Sequence, residues 1–169
     1  MPSNVRKCLG VAVTIIGYYV IHEGAHLLTA RILGVFQEIR FKELGVQIVV
    51  EASGMSNIQL AIFSIMGSVA TLLVGYVLIL SKNWILLSNS KVLKAVFYYA
   101  TLGFLVNDPI YLSILCGFFG GGDMNGIVLF GIQETVARLI YGVIAVVNIF
   151  IFIKYIYPAY KQNFVNHSN

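Results

Sequence analysis

Apolar positions in this chain fall into four long runs, at about residues 9–33, 57–80, 92–119 and 135–157. Each meets or exceeds the roughly 20 apolar residues that carry a helix across about 30 Å of hydrocarbon. The two segments between runs that are not simple polar breaks read differently. Over residues 36–51, Glu38, Arg40 and Lys42 alternate with Ile39 and Phe41; the turn-like KELG and the β-rich VQIVV follow. A period of two on either side of a turn predicts a β-hairpin. Residues 120–134, GGGDMNGIVLFGIQE, are too few to cross a bilayer and too apolar for a loop in water. They predict a re-entrant or short helical segment, because irregular backbone at that depth must face protein or a wet cavity. The expected fold is an all-α polytopic membrane protein of about four transmembrane helices. A small membrane-associated β-hairpin follows the first helix and the re-entrant or short helix precedes the last. Residues 1–162 form a single transmembrane domain, and residues 163–169 a polar tail.

Composition strengthens this reading. Of 169 residues, 59% are hydrophobic and 11% charged, and the mean hydropathy is +0.86. A soluble domain of this size has too little interior to hide so much apolar surface. The net charge of +4 is spread over short flanks, which excludes a nucleic-acid-binding face. Cys8 and Cys116 have no paired spacing and read as small packing residues. Arg6 and Lys7 precede an apolar stretch with no small-x-small cleavage pattern, so the first span is expected to be retained. With the N-terminus cytoplasmic, seven basic residues (Arg6, Lys7, Lys82, Lys91, Lys94, Lys154 and Lys161) face inward, as the positive-inside rule prefers.

The chemistry is concentrated in the first run. His22-Glu23-Gly24-Ala25-His26 is an HExxH pattern. Residues four apart stand one turn above another on a helix, so both imidazoles can grip one metal ion. Glu23 is offset around the helix, within reach of a water on that metal. A charged group near mid-bilayer costs at least about 2.5–3.5 kcal/mol on insertion scales, so such residues are rarely idle. Three histidines are too few for a histidine-rich di-iron centre, and a carboxylate-bridged bundle needs two Glu-x-x-His pairs where one is present. One zinc ion per chain is the remaining assignment.

Two histidines leave a third ligand to be found. His167 lies in the polar tail. The sequence has two aspartates, Asp108 and Asp123. A third span parallel to the first ends on the side of the motif. Asp123, a few residues beyond that end and preceded by three glycines, can fold back to the metal. Asp108 lies within its helix beside Asn107 and Pro109, and Glu134 is a further alternative. The structural alternative for Asp123 is an N-cap of the following short helix.

HEGAH followed by LLTARILGV resembles the signature helix of the site-2 proteases, zinc metalloproteases that cut proteins within the membrane. MGSVATLLVGY, residues 66–76, is similar to their middle element, with Ser68 in place of its proline and Thr71 in place of its asparagine. Asn107 and Asp123 resemble the asparagine and aspartate of the last element, at a wider spacing and with Met124 where glycine stands in the family. The resemblance covers roughly residues 11–126 and includes β-structure between the first two core helices.

The resemblance implies zinc held by His22, His26 and Asp123, Glu23 as general base, and Asn107 donating to the scissile carbonyl. An ordinary interhelical hydrogen bond is the alternative role for Asn107. The partners implied are a transmembrane protein or peptide substrate and the lipid bilayer, with a homo-oligomer compatible. An exposed hairpin edge can hold the unwound substrate segment by strand addition, and the glycines at 120–122 can gate water. Two other classes compete: an inactive scaffold that captures transmembrane helices, and a transporter using buried His and Asp as an ion path. For the latter no inverted repeat is detectable.

Overall fold

The computed structural model describes residues 2–42, 45–118 and 122–166. It is mostly helical, with one two-stranded antiparallel sheet. The first helix, α1 (Ser3–Ile32), is 30 residues long, about 45 Å at 1.5 Å per residue. It ends where Gly34 adopts a left-handed φ of 70°. The Gly34 N–H then bonds the Arg31 carbonyl at 3.2 Å and the Val35 N–H the Ala30 carbonyl at 3.0 Å, a closure that a residue without Cβ permits.

The expected hairpin follows as β1 (Phe36–Lys42) and β2 (Gly45–Val50), paired from Lys42↔Gly45 to Phe36↔Val50 with an irregularity between Phe36 and Glu38. β2 lies along α1. The turn residues 43 and 44 fall outside the described residues.

Helix α2 (Asn57–Leu80) starts with a capping box: Gln59 N–H donates to Ser56 Oγ at 3.3 Å, and the Ser56 N–H donates to the Gln59 side chain at 2.8 Å. This satisfies two donors that a helix start otherwise orphans. The short α3 (Lys82–Leu87) leads to α4 (Lys91–Ser113), capped by Ser90. Helix α5 (Met124–Ile127) is a single turn, continued by a 3-10 turn to Phe130. Finally α6 (Glu134–Ile151), a π-helical segment at Phe152–Ile156 and α7 (Tyr157–Asn166) form one continuous rod.

Among the described residues, three helical stretches are long and apolar enough to cross a membrane: Ser3–Ile32, Asn57–Leu80 and Glu134–Phe164. The segment expected as a third span, residues 92–119, departs from this. It is α-helical only to Ser113, and Lys94, Asn107 and Asp108 interrupt its apolar run. The physical reason is its place. α4 is the innermost helix, packed on α1, α2 and α6, so its side chains meet protein and have no need to be lipid-like. The last span also reaches beyond 157, and residues 163–166, expected in the tail, continue α7, where Asn163 accepts from Lys94 Nζ at 2.5 Å.

The distribution of side chains is inverted relative to a water-soluble bundle. Ile16, Leu28, Leu73, Leu80, Trp84, Leu139 and Val146 are exposed, while Thr14, Ser68, Thr71, Thr101, Asp108 and Asn148 are buried. Helices approach through small residues. A Cβ on Gly10 would meet Tyr99 at 2.7 Å, one on Gly103 would meet Thr14 at 2.7 Å, and one on Gly75 would meet Leu105 at 2.9 Å. Such close backbone contact is how helices associate where no hydrophobic force separates protein from lipid.

One buried knot ties three helices together. Pro109 lies inside α4 and has no N–H to offer the carbonyl four residues back, that of Leu105. Asn148 of α6, fully buried, donates Nδ2 to this carbonyl at 2.8 Å. Its Oδ1 accepts from the Tyr76 hydroxyl of α2 at 2.8 Å.

Candidate metal centre

His22 and His26 project from one face of α1, as their spacing predicts, towards α2 and the segment before α5. His22 Nε2 and His26 Nε2 are 3.2 Å apart. Asp123 Oδ2 lies 3.2 Å from the first and 3.4 Å from the second. The three residues form the one group of candidate metal ligands found among the described residues. The near-equilateral triangle can be tested against an ion. Four ligands at about 2.0 Å around tetrahedral zinc define edges of about 3.3 Å. The residues therefore fit a small tetrahedral ion with a fourth position open.

The imidazoles are held in the tautomer that such an ion requires. His26 Nδ1 donates to the Phe63 carbonyl of α2 at 2.8 Å. The proton on Nδ1 leaves the Nε2 lone pair for the ion. His22 Nδ1 faces Asp108, 3.2 Å from Oδ1 and 3.4 Å from Oδ2. Asp108 is fully buried and also accepts from the hydroxyls of Tyr18 and Thr71. It thus supports a ligand from behind, on the side of the ring away from the triangle, as outer carboxylates do for metal-bound histidines. Of the alternatives for the third ligand, Asp108 is turned to the wrong nitrogen. Glu134 is engaged elsewhere, with Arg138 at 2.6 Å.

Asp123 sits at the N-terminus of α5, but its side chain makes no capping bond and turns to the histidines. Burial alone would push its carboxyl up; the contacts with His22 and His26 outweigh this and hold it at about 2. α5 is held close to α2, where a Cβ on Gly126 would come within 1.9 Å of Ser64 Oγ. Gly67 of α2 floors the site: a Cβ there would lie 2.6 Å from Nε2 of both His22 and His26. Even alanine intrudes on the ligand triangle.

A cavity of ≈ 630 Å³ opens beside the triangle, lined among others by Tyr18, His22, Glu23, Gln47, Asn107 and Asp123. Glu23 is half-buried there. Asn107 is exposed to the same cavity. The described structure thus brings Glu23, Asn107, His22 and Asp123 to one cavity, with His26 buried behind them against His22 and Asp123. Gly122 has a positive φ of 48°; Gly120, Gly121 and His167 lie outside the described residues.

Sequence reasoning missed the supporting residues. Tyr18 shares the stripe of His22 and His26, each four apart, which was a readable signal. Phe63 acts through its carbonyl, so no side-chain pattern marks it. No protein-family model matches this chain, and no curated protein or solved structure matches it either.

Proposed function

We propose that this chain is a multi-pass intramembrane zinc metalloprotease of the site-2 protease type, acting on transmembrane or membrane-associated protein segments. The carrying observation is the convergence of His22 Nε2, His26 Nε2 and Asp123 Oδ2 beside a cavity that also holds Glu23. His22, His26 and Asp123 are the residues that would hold zinc. When bound, zinc supplies a Lewis acid that polarises a carbonyl and acidifies water.

Glu23 takes the proton of the attacking water and delivers it to the leaving amine. Asn107, exposed at the cavity, donates to the oxygen of the scissile carbonyl. A substrate helix closes its own hydrogen bonds and has to be unwound before attack. Val46 and Gln47 of β2 border the cavity, and a strand edge there can pair with the extended segment. Asp108, with Tyr18 and Thr71, keeps the His22 ring in orientation. The apolar exterior and three spanning-length helices support embedding in a bilayer. The basic residues at the N-terminal end of α1 support a cytoplasmic N-terminus.

The deciding comparison is zinc content and cleavage of a transmembrane peptide by wild type and Glu23→Gln. The proposal expects zinc retained and the rate reduced at least about 100-fold, the scale of a lost general base. Equal cleavage by both proteins overturns it. A second reading, a scaffold that binds transmembrane helices without cutting them, is favoured by Ser68 and Thr71. Both are fully buried and bonded inward, to Tyr141 at 2.9 Å and to Asp108, and neither reaches a substrate. Wild type that binds zinc and the peptide but cleaves nothing supports that reading.

A further inference from the structure

The opposite end of the molecule carries a second cavity, of ≈ 470 Å³, between the first turns of α1, the first turns of α4 and α7. Four cations line it: Arg6, Lys7, Lys91 and Lys161. No acidic side chain lines it. The sequence has none at residues 1–22, 52–107 or 135–169, within which all the lining residues fall. These segments therefore bring no carboxylate side chain to the cavity. A low-dielectric wall on one side raises the field inside such a cleft.

The rest of the lining is mostly aromatic. Arg6 lies 5.8 Å from the Phe164 ring centroid and Lys161 5.8 Å from that of Tyr157. Tyr160 forms part of the wall, buried to 2% exposure, and its hydroxyl has no hydrogen-bond partner among the described residues. A buried hydroxyl without a partner is unfavourable, so a ligand acceptor that reaches it has a ready donor. The helices that form the cavity also carry exposed apolar side chains, with Val5 of α1 at 51% and Tyr157 of α7 at 45% exposure.

From this juxtaposition of four cations, an orphaned tyrosine hydroxyl and a lipid-like flank, we propose a binding site for the phosphate group of an anionic phospholipid. Cations and the Tyr160 hydroxyl hold the headgroup phosphate, the tyrosine rings sit at headgroup level as interfacial aromatics do, and the acyl chains run along the exposed faces of α1 and α7. The proposal is independent of the proteolytic reading, because it concerns the other end of the bundle.

The test uses the full chain, delipidated in detergent, with native mass spectrometry counting adducts of dioleoylphosphatidylglycerol and dioleoylphosphatidylcholine. The site predicts one phosphatidylglycerol per chain, retained at least about tenfold more tightly than phosphatidylcholine, as basic side chains at an anionic headgroup require. Arg6→Gln/Lys161→Gln lowers that affinity about tenfold or more, whereas Lys82→Gln, at the same end but outside the cavity, changes it less than about twofold. Tyr160→Phe weakens phosphatidylglycerol binding by about threefold or more and leaves lipid-free thermal stability unchanged or higher, since the unpaired hydroxyl is gone. Inorganic phosphate at millimolar concentration does not displace the lipid. Equal retention of phosphatidylcholine, an equal loss in Lys82→Gln, or displacement by free phosphate overturns the proposal. Should the double variant lose its helical circular dichroism, Tyr160→Phe decides alone, and unchanged binding there overturns it.

Discussion

Each histidine at the candidate centre depends on a residue that does not touch the ion's position. His26 is aimed by the Phe63 carbonyl, and His22 by Asp108, which Tyr18 and Thr71 hold in turn. The two aspartates therefore predict different outcomes. Asp123→Ala removes a ligand and is expected to abolish stoichiometric zinc. Asp108→Asn leaves the triangle in place and is expected to weaken zinc about 10- to 100-fold, the cost of an altered outer-shell partner. A chelator titration followed by elemental analysis separates them, and equal losses would contradict the division of roles. At this scale the sequence was legible where chemistry is local: two histidines one turn apart announce themselves. Asp108 was legible as a buried acid but not as a support, because which imidazole nitrogen it meets depends on the rotation of α4 against α1. Gly67 is conspicuous only once both rings are seen resting against its missing Cβ.

Among the elements, α5 has the most consequence for its size. It is one turn long, yet it carries Asp123 to α1 because Gly126 lets it lie against Ser64 of α2. Gly126→Ala puts a methyl group where Ser64 Oγ is, which must displace α5 or the serine. Zinc affinity is expected to fall although no ligand has changed, and Ser64→Ala in the same chain is expected to restore part of it. Isothermal titration with zinc measures both; unaltered affinity in Gly126→Ala would show that α5 does not set the position of Asp123. The hairpin was legible because residues 36–50 alternate and a turn divides them. The character of α4 was not. Its apolar run resembles a span, and only the packing reveals that Lys94 and Asp108 point into protein while α1, α2 and the α6–α7 rod carry the lipid-like exterior.

For the molecule as a whole, charge is polarised along the bundle axis. The segments around α3, the start of α4 and α7 contain lysines but no aspartate or glutamate, whereas all acidic residues fall at residues 23–51, 108–123 and 134. In intact cells, a cysteine at Lys82 in a Cys8→Ser/Cys116→Ser background is expected to resist a membrane-impermeant maleimide and one at Phe41 to react. The reverse pattern would invert the proposed orientation. The knot at Asn148 has a consequence that spans the same distance. A helix missing one rung can flex there, and the residues just beside the gap are Asn107 and Asp108. The clasp over that gap belongs to α6, so the geometry of α4 at this point is set in part by another helix. Asn148→Leu is expected to cost about 1–3 kcal/mol by stranding the Leu105 carbonyl. In Pro109→Ala the restored N–H takes over that carbonyl, so the same substitution costs about 1 kcal/mol less, a coupling that a double-mutant cycle in thermal unfolding reads directly. If that coupling holds, changes in α6 that never approach the histidines retune the acid behind His22.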